Sequence, residues 1–356
     1  MGENHSYQWV EDQIAGSVPV FDRSVAVLIP CYNEGSTVGE VVAQFRRNLP
    51  DAVIYVYDNN SRDDTIEVAL AAGAVVRRER MQGKGNVVRR MFADIQADIY
   101  VLADGDLTYD ASAAPSLIEE LVTQDLDVVV GVRLGQVGSF RQGHRFGNLM
   151  FNRCVKALFG PGFTDILSGY RVMSRRFAKS FPVASSGFEI ESELSIHALD
   201  LRLPVAEVPL HYSARPENSF SKLRTYRDGF RILLTIISMF KALQPLRFYS
   251  GFAFFFLLIG ALLGAPVVIV YLETGLVPRL PTAVLAAALV QLGFICLVCG
   301  ILLESISALR RESKRIQYLN LAAPGQPLRK QEWNGRVGRD CEEPLDNERI
   351  DRSKIL

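Results

Sequence analysis

Two long stretches without a charged residue constrain this chain more than any other feature. Phe248–Tyr271 runs for about 24 residues and Ala283–Leu303 for about 21, and neither holds Asp, Glu, Lys or Arg. At a rise of about 1.5 Å per residue, each is long enough to cross the ~30 Å hydrocarbon layer of a membrane. A soluble core rarely needs one such helix, and here two occur in tandem. Both therefore read as membrane spans, set at 248–272 and 283–303. Between them Glu273–Thr282 contains Gly275, Pro278 and Pro281 and reads as a tight loop, so the pair forms a hairpin with both outer ends on one side. Lys241 and Arg247 precede the first span, and Arg310, Arg311, Lys314 and Arg315 follow the second, whereas the loop holds only Glu273 and Arg279. Lys and Arg accumulate on cytoplasmic flanks. The expected location is thus the cell (inner) membrane, multi-pass, with the bulk of the chain and both termini cytoplasmic. Met1–Asp22 is polar and lacks a basic stretch followed by an apolar core, so residues 1–23 read as a tail and not as a signal peptide. Spans without charge offer no polar path for a transporter within one chain.

The remainder is large enough for one sizeable domain, expected over residues 24–220. With 39 basic and 39 acidic residues the net charge is zero, so the basic footprint of a nucleic-acid binder is missing. The cysteines, Cys31, Cys154, Cys296, Cys299 and Cys341, are odd in number and scattered, which does not make a disulfide framework. Cys296 and Cys299 lie inside an apolar span and read as small hydrophobes. Ser221–Leu243 is basic and amphipathic: Leu223, Phe230, Leu233, Leu234, Ile237 and Phe240 can share a side, with Lys222, Arg224, Arg227 and Arg231 supplying charge. It predicts interfacial helices over 221–247, broken near Gly229 and drawn to anionic lipid. Residues 304–356 read as a cytoplasmic polar tail.

Within 24–220 short β-branched runs alternate with helical patterns. Val25–Ile29, Val53–Tyr57, Ile99–Ala103 and Val128–Val130 are near-continuous apolar runs, as expected of strands buried on both faces. Thr37–Asn48 has apolar residues at Val38, Val41, Val42 and Phe45, and Asp63–Ala72, Asn86–Gln96 and Ser112–Gln124 are similar; Ser112 is the expected N-cap of the last. Strand–helix alternation predicts an α/β domain with a Rossmann-like, mostly parallel sheet. Such sheets bind ligands at the carboxyl ends of their strands. Three of the runs end in polar residues: Tyr32, Asn33 and Glu34; Asp58 and Asn59; Asp104 and Asp106.

Asp104-Gly105-Asp106 is the sharpest local signal. Two carboxylates one residue apart, just after a buried strand, can hold a hard divalent cation that bridges to substrate phosphates. Asp58 could accept hydrogen bonds from a base or ribose, and either Ser61 or Asp63 could cap the following helix. Gly83-Lys84-Gly85 precedes a helix, where glycines allow close backbone approach and a lysine suits phosphate oxygens. The spacing is not that of a Walker loop. His144, His197 and His211 have no partners at metal spacing and read as structural.

Together, Pro30-Cys31-Tyr32-Asn33-Glu34, Asp58…Ser61…Asp63…Thr65, Gly83-Lys84-Gly85 and Asp104-Gly105-Asp106 resemble glycosyltransferase family 2. Asp165-Ile166-Leu167-Ser168-Gly169-Tyr170-Arg171 and Arg215…Ser221-Lys222-Leu223 resemble its dolichyl- or polyprenyl-phosphate hexose (mannose or glucose) synthase branch. The resemblance covers about residues 24–245. It implies a glycosyltransferase-A fold with a C-terminal transmembrane hairpin, and inverting transfer without a covalent enzyme intermediate. It also implies a nucleotide-sugar donor, UDP- or GDP-linked, and a polyprenyl phosphate acceptor. Pro30, Tyr32, Glu34, Asp58, Lys84 and Asp104 fall at nucleotide-sugar positions, and Asp104 and Asp106 at the Mg2+ or Mn2+ position. Arg133, Arg145, Arg215 and Lys222 fall at positions facing phosphates. Two residues depart from the pattern: Asn59 stands where a second acidic residue is usual, and Thr108 where a Gln is frequent. No Gln-X-X-Arg-Trp motif occurs, which weakens a processive polysaccharide synthase reading.

An anionic acceptor phosphate needs positioning and charge compensation more than a general base. A hydroxyl acceptor would need an ionised carboxylate, for which Glu189, Glu191 and Glu193 are candidates. Transfer to a lipid or saccharide hydroxyl is accordingly the alternative enzyme reading. An inactive nucleotide-binding membrane scaffold is the alternative of another class. For the transferase the expected partners are the donor, the acceptor and the membrane, with room for a homo-oligomer.

Overall fold

A computed structural model describes residues 23–135, 142–183, 185–213, 225–322 and 324. Seven strands form one sheet: β1 Val25–Cys31, β2 Val53–Asp58, β3 Val75–Arg78, β4 Ile99–Leu102, β5 Val128–Gly135, β6 Arg171–Ser174 and β7 Val205–Tyr212. The helices are α1 Val38–Asn48, α2 Thr65–Ala71, α3 Lys84–Asp94, α4 Ala114–Thr123, α5 Gln142–Phe159, α6 Arg175–Ser180, α7 Ile190–Leu201, α8 Thr225–Leu243, α9 Pro245–Thr274 and α10 Leu280–Leu319.

The strand order is β3-β2-β1-β4-β6-β5-β7. β1 runs parallel to β2 and β4, β2 to β3, and β5 to β7, while β6 is antiparallel to both its neighbours. The sheet is therefore mostly parallel, as the alternating pattern predicts. β3, β6 and β7 carry weaker signals. β3 has only two apolar residues, and β6 is four residues long. β7 contains Glu207 and Pro209, and a strand proline is tolerated at a sheet edge, where β7 lies.

One core lies on each face of the sheet. α1 buries Val38, Val41, Val42 and Phe45 against one face, beside Leu117, Ile118 and Leu121 of α4. Val87, Met91 and Phe92 of α3, with Phe177, Ile190 and Leu194, cover the other. Ser112 is not an N-cap. A short 3-10 turn, Ala111–Ala113, precedes α4, and Asp110 caps it by accepting a bond from the Ser112 N–H. α3 starts at Lys84, two residues before the predicted start, so the glycine–lysine turn opens the helix.

α8 runs unbroken through Gly229 and has two apolar stripes where the sequence predicts one. Ile232 and Ile236 are buried in the core of the α/β domain, and Leu233 packs beside them, while Phe230, Leu234 and Ile237 face outward. Leu223 lies outside the described residues.

α9 and α10 are long and apolar enough to cross a membrane and join through residues 275–279. Gly275 closes α9 in the left-handed conformation that favours glycine. Small residues line the contact between the helices: Ala253 and Gly260 on α9, and Ala286, Gly293, Gly300 and Ser307 at seven-residue intervals on α10. Small side chains let helix backbones approach closely. A Cβ on Gly293 would stand 2.7 Å from Leu257 Cγ and 3.2 Å from the Ala253 carbonyl oxygen, and one on Gly260 2.8 Å from Val290 Cγ2. The outward faces expose Phe254, Leu262, Leu302 and other large apolar side chains, an area far beyond what soluble monomers leave open. The predicted tail from residue 304 begins as an unbroken continuation of α10 as far as Leu319.

Gly293→Leu is expected to part the hairpin, at an overpacking cost of about 1–3 kcal/mol. Gly251→Leu, at a position with open space around it, should do nothing. Melting temperatures of the two full-length variants in detergent check this, and equal values would contradict the packing described.

Candidate active site

The carboxyl ends of β1, β2 and β4 lie side by side. Cys31 pairs with Asp58 in register, and the Ala103 N–H donates to the Leu28 carbonyl, so the loops after these strands converge on one edge. The loop after β1 is tied to the loop after β2. Asn33 N–H donates to Ser61 Oγ (2.8 Å), Glu34 N–H to Thr65 Oγ1 (2.9 Å), Gly35 N–H to Asp63 Oδ2 (3.0 Å), and Arg62 N–H to Asn33 Oδ1 (2.8 Å). Asp63 also accepts from Thr65 N–H, so it acts as a turn and tether residue. Asp58 is enclosed. Its carboxylate accepts from Ser61 N–H at 3.1 Å and faces Arg78 Nε at 3.6 Å. Pro30 and half-buried Tyr32 sit where β1 leaves the sheet, and buried Glu34 closes the loop, with Thr37 Oγ1 reaching over to the Gly105 carbonyl at 2.6 Å.

Asn59 explains its own departure from the family pattern. Its Nδ2 donates to the carbonyls of Glu79 and Met81, both at 2.9 Å, and its Oδ1 accepts from Gly83 N–H at 2.6 Å. A carboxylate cannot supply the two donors. Asn59 thereby fixes the turn that presents Lys84.

Lys84 is the centre of the site. Its Nζ lies 2.5 Å from Asp104 Oδ1 and 2.6 Å from Glu191 Oε1. The glycines on either side of it are required by chain packing. Gly83 has φ +128, and a Cβ there would meet the Ser186 carbonyl oxygen at 2.1 Å, while one on Gly85 would meet that of Ser185 at 2.2 Å. The close approach anticipated for a ligand is thus made by the protein's own 185–186 backbone. Burial alone would lower the Lys84 pKa, but the Asp104 and Glu191 charges outweigh it and hold it above the ordinary lysine value. Burial raises the Glu191 pKa; Lys84 pulls it down and Asp104 pushes it further up.

Glu189, Glu191 and Glu193 are all buried, so none is a solvated surface carboxylate. Glu193 accepts from Ser185 N–H and Glu189 from Gly187 N–H, both structural roles. Glu191 reaches the Asp104 side through Lys84.

Asp106 is buried, and its Oδ1 accepts from Thr108 N–H at 3.2 Å and Thr108 Oγ1 at 2.5 Å; Thr108 orients this carboxylate. Gly169 stands against Asp104, and a Cβ there would lie 2.7 Å from Asp104 Oδ2. The absence of a side chain at Gly169 leaves room beside the Asp104 carboxylate, and carboxylate oxygens at Asp104 and Asp106 suit the oxygen preference of a hard divalent ion. Among the described residues no cluster of three or more His, Cys, Asp or Glu forms a metal cage of its own.

Arg133 makes a two-pronged pair with Asp165 (both contacts 2.7 Å) and lies over the Tyr212 ring. Asp165 is held in turn, since Glu207 accepts the N–H groups of Thr164 and Asp165. Arg145 lies in α5, but its side chain is outside the description, and Arg215, Ser221 and Lys222 are outside the described residues. Sequence reasoning did not single out Gly169, Asn59 as a tether or Tyr212. Only the position of Gly169 within the Ser168-Gly169-Tyr170 run hinted at a tight approach.

Comparison with known proteins follows the same lines. The model of the family described as "Glycosyl transferase family 2" matches residues 26–181. Glycosyltransferase AglJ of Haloferax volcanii is 33% identical over 300 residues, covering 83% of this chain and 98% of that protein. A dolichyl-phosphate hexose transferase of the same organism is 28% identical, over 60% of this chain and 93% of its own length. Among solved structures, glucosyl-3-phosphoglycerate synthase of Mycobacterium tuberculosis in complex with Mn2+, UDP and glucosyl-3-phosphoglycerate superposes with a TM-score of 0.52 at 25% identity, over 63% of this chain and 83% of that one.

Asn59→Asp is expected to destabilise the fold by about 1–3 kcal/mol, because two buried carbonyls lose donors and face a carboxylate. Thermal unfolding reads this as a lowered melting temperature, and an unchanged one would contradict the tether.

Proposed function

The chain belongs to glycosyltransferase family 2, and from that premise we propose that it moves a hexose from a nucleotide-sugar to a polyprenyl phosphate at the cytoplasmic face of a membrane, with inversion at the sugar carbon. The observation that carries this reading is the joint presence, on one chain, of an acidic strand edge built around Asp104 and Asp106 and an apolar hairpin that follows the catalytic domain directly. The similarity to AglJ extends over most of the chain, and relatives include proteins named for dolichyl phosphate transfer.

In this reading Pro30, Tyr32, Glu34 and the Asp58 turn bind the nucleotide. Asp104 and Asp106 would hold Mg2+ or Mn2+, which supplies Lewis-acid stabilisation of the departing diphosphate when bound. Lys84 sets the direction of the Asp104 carboxylate, and Thr108 that of Asp106. Arg133, pre-oriented by Asp165, would face the acceptor phosphate, and Arg145, Arg215 and Lys222, which the sequence resemblance assigns to phosphates, would add to that positive charge. That charge offsets repulsion between the anionic acceptor and the anionic donor, and guanidinium groups suit phosphate through their paired N–H donors. The acceptor tail stays in the bilayer, and the outward stripe Phe230, Leu234 and Ile237 on α8 rests at the interface. Outer flanks rich in Lys and Arg favour the cytoplasmic side.

One observation favours a second reading. Glu191 is a buried carboxyl beside the Lys84–Asp104 pair, placed to serve as a base if the acceptor were a lipid or saccharide hydroxyl. Polyprenyl phosphate, polyprenol and diacylglycerol, offered separately with a panel of UDP- and GDP-sugars and Mg2+, distinguish the readings by the mass of the lipid product. Product from the phosphate alone is expected, and product from an alcohol alone would overturn the proposal. Asp106→Asn should lower transfer by about 10²-fold or more, as loss of an oriented electrostatic group does. Unchanged transfer would sink the site assignment, and binding of nucleotide without transfer to any acceptor would favour the scaffold reading.

A further inference from the structure

The last 16 residues of α10, Glu304–Leu319, continue the second span as one helix for about 24 Å beyond the apolar stretch. Their contacts follow a single stripe. Glu304 Oε2 accepts from the Leu246 N–H (3.3 Å), and Ser307 Oγ and Arg311 Nη2 donate to the Leu243 carbonyl (3.2 and 2.9 Å). Arg311 Nε and Lys314 Nζ both reach Asp200 (3.1 and 3.3 Å), and Tyr318 OH donates to Asp127 Oδ2 (2.7 Å). The Arg176 guanidinium, itself paired with Asp127, lies 4.6 Å over the Tyr318 ring. Positions 304, 307, 311, 314 and 318 alternate by three and four residues, so they share one face. They carry on the small-residue stripe of Ala286, Gly293 and Gly300: within the span that stripe is small, and beyond it the stripe is polar.

Asp127 precedes β5, and Arg133 lies towards the other end of that strand, roughly 20 Å away at about 3.3 Å per residue. The helix tip therefore grips the edge of the sheet opposite the active site and acts on no reacting atom. The catalytic domain is joined to the hairpin covalently only at residues 243–245, and one such joint leaves rotation about it. A second attachment at Asp200 and Asp127 removes that freedom. The Asp200 side chain is buried against Arg311 and Lys314, so release of the helix takes both cations from it, while Asp127 keeps Arg176 and Ser174 and loses only Tyr318.

We propose that Glu304–Leu319 is a strut that fixes the height and tilt of the catalytic domain over the bilayer, with Arg311, Lys314 and Tyr318 as positioning residues for a membrane-embedded acceptor. This rests on the lipid-phosphate reading above. The test uses full-length protein in liposomes. It compares wild type with Arg311→Glu/Lys314→Glu/Tyr318→Phe, and with the same variant carrying Asp200→Lys to restore opposite charges. With long-chain polyprenyl phosphate in the bilayer, the strut variant should lose roughly tenfold or more in kcat/KM, as misplacement does. With a water-soluble short-chain isoprenyl phosphate it should match wild type, and the KM for nucleotide-sugar should be unchanged. Asp200→Lys should recover part of the loss. Equal rates on the embedded acceptor, or equal losses on both acceptors, would overturn the strut. Failure of wild type on both acceptors would instead overturn the acceptor reading. In that event energy transfer from a dye at exposed residue 119 to labelled headgroups still decides: the strut variant should show an altered, broader distance distribution, and an identical one refutes the proposal.

Discussion

A buried ammonium between two carboxylates organises the catalytic edge. Lys84 opens a helix after a turn that only glycine can make, and it faces Asp104 at the end of β4 and Glu191 at the start of α7. Three segments distant in sequence meet at that one nitrogen. Lys84 and Glu191 are taken out of water and Asp104 partly so, and removing the lysine would leave the buried Glu191 beside the Asp104 carboxylate without the cation that offsets them, which is destabilising. Neighbouring devices hold the same frame. Arg171 is fully buried, and its guanidinium donates to the carbonyls of Ile166, Ser168 and Glu191. Burial lowers its pKa to about 10, against the raising pull of nearby carboxylates. It ties the 165–170 turn, which carries Asp165 and Gly169, to the helix that carries Glu191. The Asp104 carboxylate and Arg133 are therefore held by neighbouring parts of one connected network.

Much of this was legible in the sequence. The strands that carry the site, β1, β2 and β4, are continuous apolar runs ending in Tyr32–Glu34, Asp58 and Asp104, because a parallel sheet buried on both faces leaves no alternation to blur them. The Asp104-Gly105-Asp106 turn and the hairpin stood out for the same reason: strong local composition. The remainder depended on long-range contact. Asn59 looks like a lost acidic ligand until the Glu79 and Met81 carbonyls are beside it. The sequence offers Glu189, Glu191 and Glu193 alike as base candidates, and it takes the approach of Lys84, 107 positions earlier in the chain, to set Glu191 apart. The Gly83 and Gly85 pattern suggested a phosphate loop, but the backbone it admits is residues 185 and 186. Gly169 and the two faces of α8 belong to the same class, since a sequence records which residues are small or apolar and not what packs on them.

The membrane end follows from a change of chemistry along one stripe. Gly293 and Gly300 let the apolar parts of α9 and α10 pack, and alternating three- and four-residue steps then carry the same face out to Arg311, Lys314 and Tyr318, which meet the catalytic domain. Apolar outer faces on the hairpin and on α8 share a boundary with the domain that holds the acidic edge. The hairpin, α8 and the strand ends that carry Asp58, Asp104 and Asp106 thus belong to one continuous scaffold.

The central claim is that Lys84 holds two carboxylates that the fold cannot tolerate without it. The most direct measurement is a stability cycle on the full-length protein in detergent, comparing Lys84→Met, Glu191→Gln and the double variant by melting temperature. Because Glu191→Gln removes one of the two stranded charges, the double variant should melt above Lys84→Met alone. A double variant that melts at or below Lys84→Met would show that Lys84 and Glu191 act independently, and would contradict the account.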